Sequence, residues 1–142
     1  MAEKPTMKTG ALWFCRLLLS GIFAYAAAQK IRDPASFASD VDHIRLLPYP
    51  LPLLVGLYLP WIELICSASL LVRRLERGAL VLIAVMCGSF FVALTSAWLR
   101  GLDISCGCFG HSAATAALPW AIARSLVLGL LSCYLLRGRL RR

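Results

Sequence analysis

Two cysteines separated by a single glycine, Cys106 and Cys108, lie in the segment Asp103-Ile104-Ser105-Cys106-Gly107-Cys108-Phe109-Gly110-His111. A thiol pair at this spacing has three chemistries open to it. Alpha carbons two residues apart fall at roughly 5.5 to 7 Å, the upper edge of disulfide geometry, so a bridge closed within the motif is strained and easily reduced. Strained, exposed disulfides serve exchange, whereas structural ones resist reduction. Cys106 and Cys108 are therefore read first as a redox-active, candidate catalytic dithiol and second as a structural bridge that shapes the loop. A metal site with His111 and Asp103 is the third reading. Zinc takes four ligands at spacings such as Cys-x2-Cys, and the shorter spacing makes the absence of a metal the expectation.

The second constellation is a set of charges inside apolar runs. Glu63, Arg124 and Arg16 each interrupt a stretch that is otherwise nearly free of charge. Such groups cost several kcal/mol in a membrane, about 3 by insertion scales, and usually face a bundle interior in pairs. Glu63 lies about nine residues, or roughly 14 Å, from one end of its run, and Arg124 about 12 residues, or roughly 18 Å, from the corresponding end of another. Their depths nearly match, so Glu63 with Arg124 is the expected pair. It is read either as an ion pair that fixes helix register or as a site that handles a proton or holds a quinone or other ligand head group. Arg16 leans toward its own helix N-terminus and is expected to snorkel to the membrane surface. Pro60, one turn before Glu63, frees a backbone carbonyl and would leave a polar notch there.

These residues need elements to position them, and composition says which. The chain has 142 residues, of which 60% are hydrophobic and 15% charged, and its mean hydropathy is +0.76. That excludes an ordinary soluble domain. A helix crosses the hydrocarbon core in about 20 apolar residues, at about 1.5 Å each. Four stretches reach that length: residues 11–29, 51–72, 78–99 and 118–136. The expected fold is all-α, an integral membrane four-helix bundle forming a single domain over residues 1–142. The first stretch also resembles a signal peptide, with Lys8 before it and small-residue cleavage sites around Ala24 to Ala28, but Arg16 inside the run favours an uncleaved span.

Orientation follows from the Lys and Arg in short loops. The N-terminus, the second loop and the C-terminus hold nine (Lys4, Lys8, Arg73, Arg74, Arg77, Arg137, Arg139, Arg141 and Arg142), against four in the first and third loops (Lys30, Arg32, Arg45 and Arg100). Both termini are expected in the cytoplasm, and the Cys-Gly-Cys loop on the periplasmic or exterior face of a bacterial inner membrane. Arg100 is then the nearest fixed positive charge to the thiols, with His111 adding to it if protonated. The net charge of +8 is topology rather than a nucleic-acid site, because the basic residues flank apolar runs with no interleaved aromatics. In the first loop, Asp33-Pro34 is a helix start. Phe37, Val41, Ile44 and Leu47 then recur at helical spacing until Pro48, which predicts a short amphipathic helix on the outer membrane surface. The in-span cysteines Cys15, Cys66, Cys87 and Cys133 are read as small core hydrophobes, and Gly88-Ser89 as a place for close helix contact.

Lys30 with Asp33-Pro34 and Phe37, Leu59-Pro60-Trp61 with Glu63, the run Cys106-Gly107-Cys108-Phe109-Gly110, and Arg124 together resemble the methylamine-utilisation MauE family within the broader DoxX-like membrane proteins. The resemblance covers nearly the whole chain, and the cysteine-glycine run is its most specific part. It implies a four-helix protein of the cytoplasmic membrane linked to maturation or export of the methylamine dehydrogenase beta subunit, a disulfide-rich periplasmic client. It also implies a thioredoxin-like periplasmic partner. On this reading the chain is a membrane thiol-disulfide oxidoreductase. A non-enzymatic assembly or transport subunit with a structural loop disulfide is the alternative.

Overall fold

Peptide groups in hydrocarbon find no water to bond, so an apolar run of spanning length must satisfy its amides internally as a helix. A computed structural model describes residues 7–102 and 114–140, and the described residues form five helices and no strand. They are α1 (Met7–Arg32), α2 (Pro34–His43), α3 (Leu51–Ser69), α4 (Glu76–Leu99) and α5 (Ala114–Leu140). All but α2 are long and apolar enough to cross a membrane. The second helix in the set of spans is shorter than the apolar run suggests, ending at Ser69 rather than Val72. The first is longer, carrying Lys30 and Arg32 in its last turn.

The spanning helices form a ring in the order α1, α3, α4, α5, and across it α1 reaches α4 only through long side chains, from Arg16 to Glu76 and from Lys30 to Phe90, among the described residues. Two pairs dominate, α1 with α3 and α4 with α5. In the first pair, Ser20 and Ser67 donate their hydroxyls to each other's backbone carbonyls, at 2.9 and 3.1 Å. Two small side chains thus draw the backbones together, as polar residues do between helices in lipid. In the second pair, a Cβ at Gly129 would stand 3.3 Å from the Cys87 Cβ. Gly88, by contrast, has nothing within 4 Å of an added Cβ, and the Gly88-Ser89 pair faces outward, so it makes no close contact among the described residues of this chain.

The apolar core gathers Leu19, Cys66, Leu70, Leu80, Ile83 and Leu135 toward the end of the bundle at which α3 turns into α4. Cys66 and Cys87 belong to it as small hydrophobes, whereas Cys133 is exposed on the outer surface. Only 22% to 33% of each span is buried. Phe14, Trp61, Ile65, Val92, Trp120 and Val127 face outward, an exposure that suits lipid and not water.

The short helix α2 forms where expected. The Asp33 carboxylate accepts from the Ser36 amide at 3.0 Å, and Pro34 occupies the first turn. It ends sooner than the approach to Pro48 predicts, because Arg45 takes a left-handed conformation at φ 52°. That conformation costs a non-glycine residue roughly 1–2 kcal/mol. It is held by Ile44, which is buried against Ala97 of α4 and whose carbonyl accepts from the Arg100 guanidinium. The apolar face of α2 is turned onto the bundle rather than along a membrane surface. Phe37 and Ala38 are buried, and Ala38 sits so close to Gly56 of α3 that an added Cβ there would approach it to 2.5 Å. Gly56→Val should therefore push α2 off α3 and lower the unfolding midpoint in detergent by the equivalent of about 1–3 kcal/mol. Gly88→Ala, into open space, should leave it unchanged. Equal midpoints for the two variants would contradict this packing.

Candidate functional site

Below α2, the ring of helices does not close on apolar side chains. A cavity of about 70 Å³ remains, lined by α1, α2, α3, α4 and α5 together, with room for several waters by the usual measure of about 10–15 Å³ each. Its walls are mainly apolar, from Phe23, Phe37, Met86, Phe90 and Leu94, and its polar groups are Lys30, Asp40, Glu63, Arg124 and Ser125.

Glu63 is 3% exposed and forms an ion pair with Lys30, also 3% exposed, at 2.5 Å between Oε1 and Nζ. This differs from the expected pairing with Arg124. The reason lies in side-chain direction. Cα–Cβ bonds tilt toward a helix's N-terminus, so Lys30, near the C-terminal end of α1, sends its long stem back into the bundle rather than out into the loop. Glu63 on the antiparallel α3 leans the opposite way, and the two meet. Arg124 lines the same cavity, so Glu63 and Arg124 do share a site, with Lys30 as the member that sequence reasoning missed. The available signal was that only Gln29 separates Lys30 from an apolar run whose helix has no stop before Asp33-Pro34.

The ammonium group is also clasped by aromatic faces. Lys30 Nζ lies 4.9 Å from the centre of the Phe37 ring and 5.0 Å from that of Phe90. The two rings stand 6.4 Å apart. One cation thereby joins α1, α2, α3 and α4, and each cation–π contact adds about 0.5–2 kcal/mol depending on desolvation. Glu63 Oε2, buried, has no hydrogen-bond partner. A buried carboxylate oxygen without a donor is an acceptor held ready for one, since leaving it bare costs about 1–3 kcal/mol or more. Two cations, an acceptor oxygen and aromatic walls can hold a planar polar head group, or take and release a proton.

Arg16 does not simply snorkel. It pairs with Glu76, the first residue of α4, which is 3% exposed and also pairs with Arg139 at 2.8 Å. Arg100 donates to the Ser96 and Ile44 carbonyls, so its guanidinium is engaged in fastening the first loop to the end of α4. Cys106, Cys108, Asp103 and His111 lie outside the described residues. The residue before them, Leu102, packs with Ile44 and Ala97, and Ile44 lines the cavity.

Removing one partner of a buried ion pair costs about 3–5 kcal/mol, whereas replacing both with apolar groups is often neutral. Lys30→Met alone should lower the unfolding midpoint markedly, and Lys30→Met combined with Glu63→Leu should recover most of the loss. A single variant as stable as the parent would show that the pair does not hold α1 to α3.

Comparison with known proteins places the chain in a family. The family model described as methylamine utilisation protein MauE matches residues 8–138, a stretch that includes Lys30, Glu63, Cys106, Cys108 and Arg124. The chain is 33% identical over 128 residues to the methylamine utilization protein MauE of Paracoccus denitrificans, covering 89% of this chain and 69% of that protein. It is 32% identical over 136 residues to the protein of the same name from Methylophilus methylotrophus, covering 94% and 70%. No solved structure matches. Four apolar helices and this match make it a multi-pass membrane protein, and the chain belongs to the MauE family of methylamine utilisation proteins.

Proposed function

We propose that the chain assists disulfide formation in an exported client, as a thiol-disulfide oxidoreductase of the bacterial cytoplasmic membrane serving methylamine utilisation. The resemblance to MauE points to a disulfide-rich periplasmic client, the methylamine dehydrogenase beta subunit, and to a thioredoxin-like partner. Supporting the orientation is the bias of nine basic residues against four in the short loops. The Cys-Gly-Cys segment then faces the periplasm.

In this reading a thiolate of the client or partner attacks the Cys106–Cys108 disulfide, forming a mixed disulfide. A second thiolate displaces it, leaving the client oxidised and both cysteines as thiols. The pair must then lose two electrons and two protons. A membrane quinone, when bound, supplies an acceptor for both. The observation that carries this extension is the cavity itself. Lys30 and Arg124 offer N–H donors suited to carbonyl oxygens, the bare Glu63 Oε2 offers an acceptor for a hydroxyl, and Phe37 and Phe90 offer flat apolar walls. Leu94, in the cavity wall, is five residues from the end of α4, about 7.5 Å by the helical rise, on the helix that leads in sequence to the segment bearing the thiols.

Cys106→Ser and Cys108→Ser should each reduce client maturation to the background of a strain lacking the protein, at unchanged membrane abundance. Full maturation with either variant would contradict exchange and favour an assembly subunit with a structural bridge. Glu63→Gln should let the Cys106–Cys108 pair accumulate as thiols in growing cells. An unaltered redox state in that variant would detach the cavity from the exchange.

A further inference from the structure

At the opposite end of the bundle, three helices bring a second set of charges together. Glu76 forms ion pairs through Oε1 with Arg16 of α1 and through Oε2 with Arg139 of α5. Oε1 is hydrogen-bonded to Arg16, whereas Oε2 and the Arg139 Nε face each other as an ion pair without hydrogen-bond geometry. The cluster still carries surplus positive charge, because Arg73 of the α3–α4 turn joins Arg16 and Arg139 around a cavity of about 60 Å³, facing a single carboxylate. Arg16 Nη1 is buried there without a hydrogen-bond partner. A desolvated guanidinium arm with no acceptor is costly, and the charge balance calls for an anion rather than a neutral acceptor.

The position of the cavity selects the kind of anion. The Arg16 guanidinium carbon stands 4.5 Å over the Trp13 ring, and Trp13 is partly exposed on the outside of the bundle. Tryptophan settles at the level of lipid head groups. Leu12 and Leu135 add apolar wall beside the arginines, so the cavity is polar on one side and apolar on the other, as the junction of head group and acyl chain is. Arg74 in the adjoining turn, Arg77 in the first turn of α4 and Arg137 in the last turn of α5 add positive charge at the same end. Basic pockets of this kind between membrane helices suit anionic head groups.

We propose that this cavity seats the phosphate of an anionic phospholipid, with Arg16 Nη1 and the Arg73 guanidinium as its donors and Trp13 as its anchor at the interface. The bound lipid would tie α1, the α3–α4 turn and α5 together at the end of the bundle remote from the Lys30–Glu63 cavity. This site is independent of the thiol chemistry and of any ligand in that cavity.

The test uses the full chain in nanodiscs of phosphatidylcholine with a graded fraction of phosphatidylglycerol, reading retained lipid by native mass spectrometry and the unfolding midpoint. The parent protein should retain phosphatidylglycerol and melt higher as its fraction rises. Arg73→Gln, at an exposed turn position, should weaken retention about fivefold, the ratio expected for one arginine at a lipid head group. Arg16→Lys keeps a cation beside Glu76 but removes the second guanidinium arm, and should weaken retention similarly. Arg74→Gln, beside the cavity but not lining it, should change retention little. An equal loss in Arg74→Gln would mean diffuse surface charge and overturn the site. So would stabilisation by inorganic phosphate alone in pure phosphatidylcholine, which would mark a soluble anion, or a parent protein indifferent to phosphatidylglycerol.

Discussion

The Lys30 ammonium meets the Glu63 carboxylate and the Phe37 and Phe90 rings, and the packing of α1, α2, α3 and α4 around the cavity is built on that meeting. Two opposite charges buried in a low-dielectric interior gain most by pairing with each other, and bringing them together fixes how far α1 stands along α3. The aromatic clasp extends that constraint. Phe37 can lie against the ammonium only if α2 folds back over the bundle, which requires the glycine at position 56 for close approach. Phe90 can lie against it only if α4 presents the matching face. One cation therefore sets the register of three helices and the docking of a fourth.

The bundle is divided by this arrangement. Toward the α3–α4 turn it packs as an ordinary apolar core closed by the Glu76 ion pairs, and toward α2 it opens into a charged cavity. Buried ion pairs are weak evidence of stability, since apolar replacements of the same volume often do better. A cavity with aromatic walls and a bare carboxylate oxygen is the feature on which the proposed ligand site rests. Its place beside Ile44, which packs with Leu102 just before the segment bearing Cys106 and Cys108, is what joins the buried charges and the thiols in one proposal.

Much of this architecture is legible in the sequence, and the misses have physical causes. Hydropathy and length locate the four spans because hydrocarbon imposes a minimum length on any crossing helix. Asp33-Pro34 locates α2 because a capping carboxylate and a proline act within one turn. The length of α2 is not legible, since the left-handed turn at Arg45 depends on contacts of its neighbour Ile44 with Ala97 and Arg100, which are remote in sequence. The role of Lys30 is hidden by a rule that counts basic residues near span ends as topology. That rule cannot see a lysine stem turned back into the bundle. Glu76 is hidden for the same reason, amid the arginines Arg73, Arg74 and Arg77, although it holds both Arg16 and Arg139.

The proposed cycling of an outward-facing Cys106–Cys108 pair between dithiol and disulfide can be followed in living cells. Thiol trapping in intact cells tests it most directly, using a membrane-impermeant alkylating reagent before and after a mild reductant. A cycling pair should resist labelling while oxidised, label fully from outside after brief reduction, and close again when the reductant is removed. A pair that cannot be labelled from outside after reduction, or that stays permanently closed in working cells, would contradict it.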